Sequence, residues 1–421
     1  VKKIVVVGAG MAAIRFLESL LSVKSIRFEI VIIGEERHPA YKRHLLSRVL
    51  QGEVKVEETL TYEQEWYQKK GIRFLTNEKV QSIDRHSQQV KTDRGRNVRY
   101  DYLVIATGST PHLLPVKGVG KQGVKTFRTL DDCYEILENA QRYKKAAVIG
   151  AGVLGLEAAM GLVSLGVDTT VVHHQPNVMN RQLDRLSAEM LQEELGARGV
   201  KFLLSKRTKE LFGTSRVEGI RFTDGTILET DLVLMSVGIR PNIELARKAG
   251  LEVHRGIVVN DDLQTSDPTI FAIGECIEHR EATYGTTEPI YEQADYLARM
   301  LAGFLATGYQ GSTVSTQLNI GGINVFSSGH VLETEETRTF QWIDPIRHVY
   351  KKIVTLHGRV IGAILYGDTS EAPRLKRLVK EFAPVSSIPS NQLFHAEDVR
   401  SPSTLKIVTK KALSNRSQRH S

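Results

Sequence analysis

The chain has 421 residues, enough for two or three domains. Its 41% hydrophobic and 25% charged content excludes a disordered or fibrous protein, and no apolar run reaches the roughly 20 residues that span a bilayer. The formal charge is +8, but residues 384–421 hold six basic and two acidic residues, which leaves a mildly basic body and gives no reason to expect a nucleic-acid partner.

A short basic stub leads into KKIVVVGAGMAAIRFLESLL, which reads as a strand, a glycine turn and a helix, so no secretory leader or membrane segment is expected. FEIVIIGEE follows as a second strand ending in acid. Gly8, Gly10 and Ala13 fit G-x-G-x-x-G/A, in which the glycines allow a tight turn and close approach of a pyrophosphate to the helix N-terminus. Glu35 or Glu36 is placed to accept hydrogen bonds from a ribose diol. YDYLVIATGSTP is a strand entering a turn at Thr107 and Gly108. A second strand–glycine–helix unit lies in KKAAVIGAGVLGLEAAMGLVSLGVDTTVVHHQ, with a strand from Ala146 to Ile149 and glycines at 150, 152 and 155. Two such units predict two bound dinucleotides. DLVLMSVGIRPN repeats the strand-and-turn pattern at Gly238, Arg240 and Pro241. TSDPTIFAIGECIEH brings a strand to Gly274 and Glu275, and Pro289–Leu305 reads as the helix after it.

Near residue 315 the pattern changes to alternating apolar strands, closing with a helix from Ser370 to Phe382, as in a separate α+β domain. The expected organisation is α/β, with two Rossmann-like dinucleotide-binding domains and a small C-terminal α+β domain. The boundaries are 1–112 and 241–314 for the first domain in two parts, 113–240 for the second, 315–383 for the third, and 384–421 for a flexible basic tail. Cys133 and Cys276 form no CxxC pair, iron–sulfur cluster, zinc set or disulfide framework, so no metal site is expected and a cytoplasmic location is.

The order of these motifs resembles the two-dinucleotide-binding-domain flavoproteins, the superfamily of pyridine nucleotide-disulfide oxidoreductases and ferredoxin reductases. GEERHPAYKRHLLSRVLQGE, VIGAGVLGLEAA and TSDPTIFAIGEC are most similar to the flavin module of assimilatory nitrite reductases and nitrate reductase electron-transfer subunits. The resemblance implies FAD at Gly8, Gly10, Ala13, Glu35, Arg43, Arg48, Thr107, Gly108, Gly274 and Glu275. It implies NAD(P)H, as electron donor, at Gly150, Gly152, Gly155, Glu157, His173, His174 and Gly238. Glu157 is the position near the nicotinamide, or else a solvated helix carboxylate. His173 stands where an NADH enzyme usually carries an acid, and His173, His174 and Arg181 are candidate donors to the 2′-phosphate of NADPH, or else loop histidines with no ligand.

The cysteine that disulfide reductases place beside the flavin is absent, and Cys276 reads as a buried structural residue. No side-chain acid or base is required for hydride transfer to a flavin. The implied function is electron transfer from NAD(P)H through FAD to an iron–sulfur or rubredoxin-like acceptor in nitrate or nitrite assimilation. The acceptor would be a separate iron–sulfur, sirohaem or molybdenum protein, and a homodimer is possible. The alternatives are an NAD(P)H oxidase and a non-catalytic redox-sensing flavoprotein.

Overall fold

The computed structural model describes residues 1–23, 28–304, 307–388 and 394, and the backbone of 404–408. The chain divides into two compact units, Val1–His174 with Gly199–Ser312, and Gln175–Arg198 with Thr313–Ser421.

In the first unit, five strands form a parallel sheet in the order Ile270–Ala272, Tyr102–Ile105, Lys2–Val7, Phe28–Ile33, Ile72–Leu75. A parallel sheet is covered on both faces, which is why these strands are nearly continuous runs of Val, Ile and Leu. Ile4, Val5, Leu103 and Ile270 are fully buried. The helix Met11–Ser22 packs over this sheet and is tied to the helix Thr287–Leu301 by Arg15 and Ser19, which both donate to Asp295. That second helix starts and ends earlier than the sequence suggests. Pro289 falls in its first turn, where a missing N–H costs nothing, and Gly303 (φ +81°) lies just past its end.

A second parallel sheet in the same unit has the order Lys201–Leu203, Asp168–Val172, Lys145–Ile149, Leu232–Met235, Val124–Thr126. Each parallel sheet has its own antiparallel companion, Val80–Asp84/Gln89–Thr92/Asn97–Arg99 for one and Thr208–Phe212/Gly219–Phe222/Ile227–Glu229 for the other. The stretch carrying the second sheet is joined to the first through a two-stranded ribbon, in which Ser109–Pro111 pairs antiparallel with Ile239–Pro241. Beside it, Asn242 Nδ2 donates to the Thr107 carbonyl at 2.8 Å and Thr107 Oγ1 to the Asn242 carbonyl at 3.0 Å.

The second unit is an antiparallel sheet in the order Ser315–Ile320, Ile323–Gly329, Arg359–Tyr366, Val349–Leu356, Thr337–Asp344, Thr404–Val408. One face is covered by the helix Ala372–Lys380, whose Leu375 and Val379 pack with Phe326, Ile353 and Val360. This helix is shorter than the Ser370–Phe382 expected: it begins after Glu371 with Pro373 in its first turn, and past its end Phe382 turns to φ +47°. Two lysines of the strand Val349–Leu356 are buried. Lys351 reaches Asp368 (2.9 Å) and Glu371 (3.1 Å), and Lys352 reaches Asp184 (2.9 Å) and Glu333 (3.0 Å). Asp184 also caps the helix Arg185–Ala197 through the Ser187 N–H and accepts from Tyr350. That helix therefore groups with the C-terminal sheet, although its sequence lies among the segments expected to bind the second dinucleotide.

The expected flexible tail is corrected at 404–408, whose backbone pairs with Thr339–Ile343. A sheet edge offers unpaired N–H and C=O groups that such a segment satisfies. Residues 389–393, 395–403 and 409–421 lie outside the described residues, and so does the expectation of flexibility there.

Candidate cofactor sites

The three positions of the first fingerprint are small for different reasons. Gly8 has φ +104°, and a Cβ there would lie 2.2 Å from the Ala106 carbonyl oxygen. Ala13 is fully buried. Gly10, in contrast, has an ordinary φ of −82°, and a Cβ there would meet nothing within 4 Å. Packing does not explain Gly10. It caps the helix Met11–Ser22 with no side-chain hydrogen bond, and no acid stands in the first turn. The helix thus presents unsatisfied N–H groups and the positive end of its dipole to open space, the arrangement that a diphosphate fits.

The second fingerprint repeats this. Cβ atoms at Gly150 (φ +114°) and Gly155 would lie 2.1 Å from the Ser236 oxygen and 2.0 Å from the Gly150 oxygen. Gly152 again caps its helix, Val153–Ser164, without a side-chain bond and with open space around it. The residues present therefore fit two dinucleotides.

Around the first turn, the two acids at the end of the strand Phe28–Ile33 diverge. Glu36 turns inward to Tyr41 Oη and Arg43 Nη2, both at 2.6 Å, while Glu35 faces out to Lys79 at 2.7 Å. Glu35 is the acid left for a ribose. Arg43 continues to the Arg128 carbonyl at 2.6 Å. Arg128 in turn bonds Glu275, which also accepts from Ser109 Oγ at 2.7 Å. Arg43, Ser109 and Glu275 are thus drawn together through Arg128, which sequence reasoning missed. The only signal was the Thr129/Asp132 capping box directly after it, and that marks a helix start rather than an arginine's direction. Arg128 Nε is buried without a partner. Arg48 is not part of this group, because it is half exposed and pairs with Glu53 at 2.9 Å. Gly108 (φ +64°) and Gly274 (φ +93°) form the flanking turns, and Gly108 also faces open space.

Glu157 lies on the helix Val153–Ser164, which comes so close to the helix Leu46–Leu50 that a Cβ at Gly161 would be 2.7 Å from Leu50 Cβ. Burial pushes its carboxyl up to about 7, and a hydrogen bond from Ser47 partly offsets this.

His173 follows the strand Asp168–Val172 and is buried. Its Nδ1 takes the Ala151 N–H at 3.4 Å, so this nitrogen is an acceptor. An Nδ1 that accepts a hydrogen bond carries no proton, which leaves Nε2 as the ring's donor. His173 supports the glycine turn, and His174 beside it is exposed, with ring centroids 4.8 Å apart. Gly238 (φ +105°) accepts the His112 N–H, and a Cβ there would also meet open space.

Both thiols are buried. Cys133 is pushed up to about 12 by burial, and Cys276, raised for the same reason, lies 3.2 Å from the Ile273 carbonyl. Among the described residues no group of His, Cys, Asp and Glu could hold a metal ion, and no helix is long and apolar enough to cross a membrane.

Residues 2–295 match the pyridine nucleotide-disulphide oxidoreductase family, and residues 315–383 match the rubredoxin NAD+ reductase C-terminal domain. The chain is 47% identical over 385 residues to an NAD(P)H nitrite reductase of Bacillus subtilis, covering 91% of this chain and 48% of that one. It is also 47% identical over 374 residues to the assimilatory nitrate reductase electron transfer subunit of the same organism, covering 89% and 48%. The chain thus spans about half the length of these curated relatives. Among solved structures, a ferredoxin reductase from Rhodopseudomonas palustris superposes with a TM-score of 0.82 at 26% identity, covering 89% of this chain and 93% of that one.

Proposed function

Because the chain belongs to the pyridine nucleotide-disulphide oxidoreductase family, whose members use FAD and NAD(P)H, we propose that it draws electrons from NAD(P)H through FAD. It passes them to an iron–sulfur or rubredoxin-like acceptor that serves nitrite or nitrate reduction. The observation that carries this reading is the pair of uncapped helix N-termini behind Gly10 and Gly152, each facing open space.

FAD is assigned to Gly8, Gly10, Ala13, Glu35, Arg43, Thr107, Gly108, Gly274 and Glu275, with Arg128 added and Arg48 at the margin. NAD(P)H is assigned to Gly150, Gly152, Gly155, Glu157, His174 and Gly238, with His173 bracing the turn. In domain terms, the flavin half is 1–112 with 241–314 and the nicotinamide half is 113–240. All five strands of the first parallel sheet come from the former and all five of the second from the latter, which supports this division. The flavin, when bound, supplies hydride acceptance from the nicotinamide and release of electrons one or two at a time. The protein places the two ligands and lends the dipoles of both helices. An acceptor serving nitrite or nitrate reduction is supported by the relatives' names, since both belong to nitrate or nitrite reduction. Two buried, unpaired thiols suit a cytoplasmic location.

The test is an anaerobic titration of the purified chain with NADH and with NADPH, followed in the visible spectrum. Stoichiometric FAD bleached by either donor is the expected result. A colourless chain that takes up no added FAD would overturn the assignment.

A further inference from the structure

We propose that Gln293 is a positioning residue for the Gly274–Glu275 turn, holding it through an oriented chain of hydrogen bonds that ends on Glu292. The proposal rests on the FAD reading above.

Gln293 lies in the helix Thr287–Leu301 with no exposed surface. Its Oε1 accepts the Gly274 N–H at 2.8 Å, and its Nε2 faces Tyr309 Oη at 3.5 Å. A backbone N–H can only donate, so the oxygen end of the amide is fixed toward Gly274 and the NH2 end toward Tyr309. Tyr309 then accepts with its oxygen and gives its own proton to Ser312, 2.6 Å away. Ser312 donates in turn to the Glu292 carboxylate. Every link points the same way, from the Gly274 N–H to an anion, and aligned hydrogen bonds polarise one another where the dielectric is low. The rings of His279 and Tyr284 flank Tyr309, and burial raises its phenol far above the ordinary value, so it remains a protonated donor.

The turn at the other end needs such a hold. Gly274 is buried, its φ of +93° is a glycine conformation, and a Cβ there would come 3.1 Å from Ala12 Cβ on the first fingerprint helix. The next residue is the Glu275 carboxylate gripped by Ser109 and Arg128. Without Gln293, the Gly274 N–H is a buried donor with no acceptor, a cost that rotating the Ile273–Gly274 peptide relieves. That rotation carries Glu275 with it.

The experiment compares wild type with Gln293→Leu, Gln293→Glu and Glu292→Gln. For each, FAD dissociation is measured by flavin fluorescence, along with the visible circular dichroism of bound flavin. Gln293→Leu is expected to weaken FAD about tenfold, as for one buried donor left unpaired, and to change the dichroism. Gln293→Glu keeps an acceptor for the Gly274 N–H but loses the donor to Tyr309, so it is expected to recover most, not all, of both. Glu292→Gln, at the far end of the chain, folds whether or not the leucine variant does. It is expected to change the dichroism in the same direction with an effect of about twofold, because neutralising the terminal anion weakens each aligned bond. Wild-type affinity and dichroism in Gln293→Leu, equal impairment of the leucine and glutamate variants, or an unaltered Glu292→Gln would each overturn the proposal while leaving the FAD reading intact. A wild-type chain that binds no FAD would overturn both.

Discussion

Ser47 and Glu157 meet where the second fingerprint helix packs on the short helix Leu46–Leu50, and the serine hydroxyl bonds a carboxyl that burial holds near neutral pKa. Between the ordinary value of 4.5 and about 7, the folded protein keeps a proton that the unfolded chain releases. The stability from this group is therefore complete below pH 4.5 and is lost as pH rises through about 7. Glu157→Gln should remove that dependence, gaining roughly 2 kcal/mol over wild type between pH 5 and pH 8. Urea unfolding across this range checks it, and a difference that stays constant with pH would be the contrary result.

The two fingerprint glycines should separate stability from cofactor binding. Gly10→Ala should leave the unfolding free energy of the cofactor-free chain within about 0.5 kcal/mol of wild type, since its Cβ enters open space at an allowed φ. The same change should weaken FAD at least about tenfold, because the methyl takes the room of a phosphate. Gly8→Ala should instead cost upwards of about 2 kcal/mol through left-handed strain and collision with the Ala106 carbonyl. Loss of stability at Gly10 with FAD retained would reverse the argument.

Turnover should not depend on thiols. Burial raises both cysteines, so thiolate is scarce at neutral pH. Iodoacetamide should leave the native protein unlabelled, and Cys133→Ser with Cys276→Ser should keep most NAD(P)H-dependent dye reduction. Lost turnover with FAD still bound would point to flavin–thiol chemistry at Cys276.

Cofactor choice should turn on His173. Wild type, with no acid at the end of the strand Asp168–Val172, should use NADPH at least as well as NADH. His173→Glu should lower the NADPH-to-NADH ratio of kcat/KM about tenfold or more, by adding an acceptor for the ribose hydroxyls and repelling a 2′-phosphate. The new carboxylate can still accept the Ala151 N–H, so the unfolding midpoint should hold. A wild type that already favours NADH tenfold, unmoved by the mutation, would sink this.

What the sequence disclosed was local. The fingerprints, the turns at Gly108 and Gly274 and the strands feeding them all lie within a few residues of their own signals, and periodicity with glycine spacing finds them. What it hid depends on partners far along the chain. Arg128 acquires meaning only when Ser109 and Glu275 fold against it, 147 residues separating it from the latter. Lys351 and Lys352 look like surface charges in a strand until Glu371, Asp368, Glu333 and Asp184 arrive. The acceptor role of His173 Nδ1 likewise follows from a backbone N–H 22 residues earlier.

The antiparallel pairing of Pro111 with Ile239 brings the two ends of the nicotinamide half side by side. Opposed residues of such a ribbon stand about 5 Å apart, a gap that a two-residue hairpin turn closes. Residues 112–238 contribute no strand to the first parallel sheet, so deleting them leaves its hydrogen-bonded order whole. A stretch spliced from another family member between the same two ribbon ends must therefore also supply the arginine that bonds Glu275 and the acid that meets Lys352.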